Sequence, residues 1–451
     1  MKPPKSAVED PQGALFQTEL AHLVDAQHPL VLLAGEIDWA SFDTALGVAY
    51  SDSKVGRPPA PTRLLVALHY LKYTSDLSDE AVLAAWVENP YWQYFSGEKY
   101  FQHEPPIDPS SMSRWRKRVG DAGAEQLLKE SIQAGLRLNL IKASQVARVN
   151  VDTTVMEKNV RYPTDARLLD RAREKLVKQA QADGVQLRQS YVRVGKQALL
   201  QQSRYAHAKQ FKRAKREERK LRTMLGRVIR DVERKATSPS RELKELLVLV
   251  KRLHAQKRTD KNKLYSLHEP DVACISKGKA HKRYEFGCKV ALAVTSQGGW
   301  VLAAKALPGN PYDGHTLKAT LEQASALTGK DLERVYVDMG YRGHDYEGPV
   351  IVNVDKRRRG RTPRSVWRWM KRRSAIEPTI GHLKEHKRLN RNRLKGVLGD
   401  KVNALLAAAA LNLHKIMRTL AKTPALLARF LAWLLEALQL RRLNPAPSGA
   451  R

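Results

Sequence analysis

Asp152 closes the run Val149-Asn150-Val151-Asp152, and Asp338 closes the closely similar Val335-Tyr336-Val337-Asp338. Glu377 follows Asp338 by 39 positions. Carboxylates are hard oxygen ligands, suited to Mg²⁺ rather than to metals that seek thiolate or imidazole. Two such ions about 3.5–4 Å apart can activate a water and stabilise a leaving 3′ oxygen, as phosphodiester cleavage requires. The surrounding chain carries 80 Lys and Arg against 46 Asp and Glu, a formal net charge of +34. Such a field attracts polyanions. Three acids in this setting point to metal-ion chemistry on a nucleic acid.

Spacing around the third acid adds detail. On one continuous helix at about 100° per residue, Arg373 and Lys384 lie about 40° and 20° from Glu377. A carboxylate flanked by two cations on one stripe suits a metal-bound phosphate. An ordinary Arg–Glu pair one turn apart on a surface helix is the plainer alternative. Pro378 either kinks this helix or marks its restart. Glu385 is about 80° away and a weaker ligand candidate. Asp355 ends a third Val-x-Val-Asp run but precedes Lys356 and Arg357, so it reads as a neutralised decoy. Asp313 and His315 read as a helix cap and loop, with support of the site as the alternative.

The positioning elements follow from pattern. Residues 1–140 read as mostly helical, including an apolar helix at 62–74 and a helix start at Asp76-Leu77-Ser78-Asp79-Glu80. Ser110 or Ser111 is a candidate N-cap for a helix carrying Arg114, Arg116, Lys117 and Arg118, either a groove-reading helix or a basic surface one. Residues 146–155 alternate and are β-branched, as a strand requires. From 164 to 262 Ala, Leu, Gln, Lys and Arg dominate, and a long helical hairpin is expected, its charges mostly solvated. A hairpin is expected at 284–295 and 300–307 around Gln297-Gly298-Gly299. A helix at 313–327, strands at 334–338 and 349–354, a basic loop at 356–361, a helix at 365–386 and further helices at 398–441 complete the chain. This order fits an α/β, ribonuclease H-like catalytic domain with an insertion after its first strand.

The bulk numbers exclude other classes. The 451 residues fit two to four domains. Cys274 and Cys288 match no zinc pattern and cannot staple a chain of this length, so a reducing cytosol is expected. The N-terminus has no apolar signal core. The most apolar stretch, 424–440, is broken by Arg429 and Glu436 and reads as amphipathic core helix rather than anchor. Neither a phosphate-cradling Gly-rich loop nor a local Cys–His pair is evident.

With these residues in view, the chain resembles the bacterial insertion-sequence DDE transposases, specifically the insertion-sequence-five family and its insertion-sequence-four relatives. The carriers are Asp108 to Arg118, Tyr265-Ser266-Leu267-His268-Glu269-Pro270 leading to Tyr284-Glu285-Phe286-Gly287, Leu307 to Leu317, and Asp338-Met339-Gly340-Tyr341-Arg342-Gly343. The family's third block runs Tyr, two residues, Arg, three, Glu, six, Lys. Arg373, Glu377 and Lys384 match it, while Met370 replaces the tyrosine, with Trp367 and Trp369 nearby.

The resemblance implies two Mg²⁺ ions, with Mn²⁺ as substitute, held by catalytic Asp152, Asp338 and Glu377. It implies contacts to double-stranded DNA, at element ends and target, from Arg373, Lys384, Arg114, Arg116 and Arg118. Implied too are terminal inverted-repeat binding, cleavage, strand transfer, a homodimer or larger assembly on DNA, a cytoplasmic, nucleoid-associated location and no membrane partner. The expected division is a helical DNA-binding domain at 1–140, a catalytic domain at 145–163 and 265–390, a basic coiled-coil-like insertion at 164–264, C-terminal helices at 391–441 and a disordered tail at 442–451. A DNA-binding protein that no longer cuts, and a nuclease that cuts without joining, are the competing readings.

Overall fold

The computed structural model describes residues 18–50, 59–276, 283–355, 363–390 and 392–422. The basic loop at 356–361, the stretch at 424–440 and the tail at 442–451 lie outside the described residues.

The N-terminal part is helical: α1 (Leu20–Leu23), α2 (Pro29–Glu36), α3 (Trp39–Gly47), α4 (Thr62–Thr74), α5 (Asp79–Glu88), α6 (Pro90–Ser96), α7 (Pro109–Arg137) and α8 (Ala143–Val146). Ser78 caps α5 by accepting from the Ala81 amide at 3.1 Å, with Asp79 and Glu80 in the first turn facing the dipole's positive end. The cap of α7 is Asp108, not Ser110 or Ser111. Its carboxylate accepts from the Ser110 amide at 2.8 Å, and Pro109 takes the first helical position, where no donor is needed. Gly120, at φ 69°, breaks α7 into two straight pieces.

Six strands form one mixed sheet: β1 (Arg148–Glu157), β2 (Ala273–Ile275), β3 (Glu285–Thr295), β4 (Val301–Leu307), β5 (Arg334–Val337) and β6 (Ile351–Val354). The path runs β2-β3-β1-β5-β6, and β4 also pairs with β3. β3 is antiparallel to β1 and β4, whereas β5 is parallel to both β1 and β6. β1 is therefore central, paired along its length by β3 and at its start by β5.

Between β1 and β2 lie four helices, α9 (Asp165–Ala182), α10 (Val192–His207), α11 (Phe211–Lys235) and α12 (Arg241–Ala255). This corrects the expected hairpin. The breaks fall at Gly184, Tyr191 and Lys209, all at positive φ, and before Ser240, which caps α12. The four helices bury their own apolar cluster, centred on Leu176, Leu221, Leu225, Val228 and Leu253.

α13 (Leu317–Thr328), α14 (Arg364–Arg372), α15 (Ile376–His386) and α16 (Gly396–Leu420) complete the described chain. The break in the expected 365–386 helix falls at 373–375, a 3-10 turn, and not at Pro378. Ser374 Oγ donates to the Lys371 carbonyl at 3.0 Å, competing with the helical ladder. Pro378 sits in the first turn of α15, where its missing N–H costs nothing. α16 packs on α4, α7 and β4, so N-terminal helices, sheet and C-terminal helix share one apolar core.

Candidate active site

β1 alternates, so Asn150 and Asp152 project to one face. The parallel register pairs Asn150 with Tyr336. The ladder ends there; Asp152 lies two residues further along β1, Asp338 directly follows β5, and both carboxylates act on the same buried phenol, Tyr341. β5 and β6 pair Val337 with Val354, and the Asp355 amide donates to the Val337 carbonyl at 3.0 Å. Asp355 directly follows β6, the last strand on that side of the described sheet.

Asp338 begins a 3-10 turn and accepts from the Gly340 amide at 2.9 Å. A methyl group at Gly340 would lie 3.0 Å from Asp338 Oδ1 and 3.3 Å from Asp313 Oδ2, so a residue with no side chain lets both carboxylates approach the backbone. Asp313 is not the cap of its helix. It opens a 3-10 turn ahead of α13, and its Oδ1 accepts from Lys289 Nζ at 2.9 Å and Thr153 Oγ1 at 3.0 Å. Lys289 Nζ also donates to the Pro311 carbonyl at 2.6 Å. The Thr153 amide donates to Asp152 Oδ1 at 2.7 Å. Tyr341 is fully buried among these groups. Burial, then the charges of Asp152, Asp313 and Asp338, push its phenol well above the ordinary value.

The helical side is held by β1 as well. Asn150 Nδ2 donates to the Arg372 carbonyl at 3.1 Å, and Asn150 Oδ1 accepts from Ser296 Oγ at 2.8 Å. That anchor brings Arg373 Nη1 to 4.0 Å from Asp152 Oδ2, both side chains mostly shielded from solvent. Because the helix breaks at 373–375, Arg373 and Glu377 do not share a continuous α-helical stripe. Glu377 and Lys384 do share one on α15. Glu377 is exposed, and among the described residues no three acidic, His or Cys side chains already converge at metal-holding spacing. Over the other end of this face, Trp369 stacks on Tyr336 at 6.4 Å, with the Arg148 and Arg372 guanidiniums 5.2 and 5.3 Å from its ring. An aromatic surface therefore persists although Met370 holds the tyrosine position.

On α7, Arg114, Lys117 and Arg118 are exposed, and the Arg118 guanidinium lies 5.1 Å from the Tyr50 ring. Arg116 is a correction. It is buried and grips Asp79 through two bonds of 2.9 and 2.6 Å, with His69 Nε2 at 3.2 Å, so it cannot reach DNA. Burial, then Arg116, lowers His69 to about 3. Burial alone would raise Asp79, but Arg116 and Lys72 outweigh it and hold the carboxyl well below its usual range.

Comparison with known families meets this geometry from outside. Residues 18–118 match the family described as Transposase domain (DUF772), and residues 258–413 match the Transposase DDE domain. The chain belongs to the insertion-sequence DDE transposases. The second match contains Asp313, Asp338, Glu377 and Lys384, while Asp152 and the four-helix insertion lie between the two matches. The transposase is also 51% identical over 197 residues to "Uncharacterized protein ORF8 in nfe locus" of Rhizobium meliloti, a stretch covering 44% of this chain and 94% of that one. No solved structure matches it. As a DDE transposase it is an enzyme of DNA transposition, acting on DNA. None of its described helices is long and apolar enough to cross a membrane.

Proposed function

We propose that this transposase is of the insertion-sequence-five type and carries its catalytic carboxylates on a ribonuclease H-like sheet. Asp152, Asp338 and Glu377 hold two Mg²⁺ ions, with Mn²⁺ as substitute. The observation that carries this reading is that Asp152 on β1 and Asp338 just past its parallel neighbour β5 both act on buried Tyr341, with Arg373 4.0 Å from Asp152. Asp152 and Asp338 fit as donors, hard carboxylate oxygens around the buried Tyr341 phenol, and Glu377 would complete the set from its exposed place on α15. When bound, the metals supply Lewis-acid stabilisation and an activated water.

The chain's own residues then have defined work. Water attacks the phosphorus at an element end, the P–O3′ bond breaks, and a 3′-OH and a 5′-phosphate result. The freed 3′-OH attacks a target phosphodiester, forming one P–O bond as another breaks. Arg373 and Lys384 neutralise the phosphate through which both steps pass. Asp313, fixed by Lys289 and Thr153, steadies the Asp338 side of the site. Arg114 and Arg118 contact terminal inverted repeats from the helical segment 1–140. The segments 145–163 and 265–390 do the chemistry, 164–264 is an accessory insertion, and two copies bridge the element's ends.

Asp152→Asn tests this. Mg²⁺-dependent nicking of element-end DNA should fall at least a thousandfold while DNA affinity stays within about threefold. Nicking that persists sinks the metal assignment. A precleaved end with a free 3′-OH should still join to target with the unaltered protein, and failure there leaves a nuclease that never joins.

A further inference from the structure

At the root of the insertion, where the chain leaves β1 through residues 160–164 and returns through 265–268, lies a groove of about 910 Å³. Its floor is aromatic. Tyr162 and Tyr265 both lean on Phe286, with centroids 5.3 and 5.4 Å away, and Tyr162 is 57% exposed. Its walls are cationic. α9 supplies Arg167, Arg171 and Lys175, and α10 supplies Lys196.

The acids in the lining are already engaged. Asp170 is bound by buried Arg173 at 2.6 Å, and Glu174 by Arg171 at 2.9 Å. Arg161, Arg167, Lys175 and Lys196 have no carboxylate partner among the described residues. Lys175 is half-buried, and burial, then repulsion from Arg171 and Lys395, pulls its pKa down. Unpaired like charges gathered in a concavity are unfavourable without an anion. A cavity of this size takes a few nucleotides rather than a rigid duplex. Cations that track a backbone beside an exposed aromatic face are the chemistry of single-strand binding.

We propose that this groove holds an unpaired DNA strand, its phosphates on the α9 and α10 cations and a base stacked on Tyr162. Glu157, at the groove end of β1, lies five residues beyond Asp152, about 17 Å along the strand. An unpaired strand reaches further per nucleotide than the about 3.4 Å of a duplex strand, so one severed at the carboxylates needs at most roughly five nucleotides to arrive. The proposal rests on DNA being the substrate, but not on the metal assignment, and binding measured in EDTA keeps the two apart.

The test is fluorescence anisotropy with the full chain, in EDTA at fixed salt, on one duplex that is blunt or carries an oligothymidine tail of two or eight nucleotides. The eight-nucleotide tail should tighten binding about tenfold and the two-nucleotide tail by less than twofold. Lys175→Glu with Lys196→Glu should abolish the tail preference while leaving blunt-duplex affinity within about twofold. Tyr162→Ala should lose most of the preference and Tyr162→Phe retain it. A 4-thiothymidine in the tail of the unaltered protein's complex should crosslink within 160–175 or 265–268. Equal binding of tailed and blunt DNA, equal weakening of both by the variants, or crosslinks elsewhere would overturn the proposal.

Discussion

Asp152 and Asp313 receive different treatment from their surroundings. Asp152 faces a guanidinium at 4.0 Å, a loose ion pair rather than a close hydrogen bond. Asp313 is gripped by Lys289 and Thr153 at 2.9 and 3.0 Å, leaving Oδ2 turned toward Gly340 and Asp338. The first arrangement suits a ligand, the second a support. Asp313→Asn keeps the shape but removes the counter-charge of Lys289, whose side chain is 9% exposed. Nicking should then fall by about 10- to 100-fold, and Mn²⁺ affinity should weaken in the same range in a titration without DNA. Unchanged Mn²⁺ affinity would separate Asp313 from the metal site. The sequence alone favoured a helix cap for Asp313 over support of the site, because nothing local reveals a partner 24 positions away on β3. It made Asp355 a decoy neutralised by Lys356 or Arg357, which lie outside the described residues.

At the scale of elements, strands were legible and helix details less so. Val-x-Val-Asp runs announce strands, and β1, β5 and β6 lie where they fall, the first two largely buried and β6 more exposed. Helix faces were harder, because α7 presents a basic stretch whose members part ways. Arg116→Met should cost about 1.5–3 kcal/mol in chemical unfolding, since half-buried Asp79 loses two charged hydrogen bonds and keeps only Lys72. Asp79's folded pKa is depressed, so its contribution is complete above the unfolded value near 4 and is lost as pH falls below it. The stability difference between the two proteins should shrink at acid pH. Arg114→Ala with Arg118→Ala should leave stability unchanged and flatten the plot of log affinity against log salt by about 1.8 if each meets one phosphate. An unchanged slope removes both from the interface. The break at 373–375 was not legible, because proline is the strong punctuation in that stretch and a serine hydroxyl did the breaking.

For the whole molecule, α16 is the tie. Tyr73 Oη donates to Asn403 Oδ1 at 2.9 Å, joining α4 to α16. Asn412 accepts from the Val301 amide at 3.0 Å and donates to the Val301 carbonyl at 2.8 Å, pairing an edge strand with a helix side chain. Lys415 bonds the Gly298 and Gly299 carbonyls at the β3–β4 turn, and burial lowers its pKa to about 8. At the insertion root, buried Lys158 bonds Glu269 and Asp400 at 3.1 and 2.8 Å. α16, from the expected C-terminal helices at 391–441, thus shares one apolar core with the sheet. Asn412→Ala strands both Val301 backbone groups and should cost about 2–4 kcal/mol, with helices and sheet unfolding in one transition. Two resolved transitions in calorimetry would show the helices and the sheet to be independent units.

The joint between α14 and α15 has a consequence for cellular safety. A protein with this much positive charge spends its life pressed against DNA that it must not cut. On the proposed reading, its third acid waits in solvent on α15, linked to the site by a short turn instead of a rigid rod. On that reading, chromosomal DNA that merely reaches the sheet meets Asp152 and Asp338 without a converged third acid.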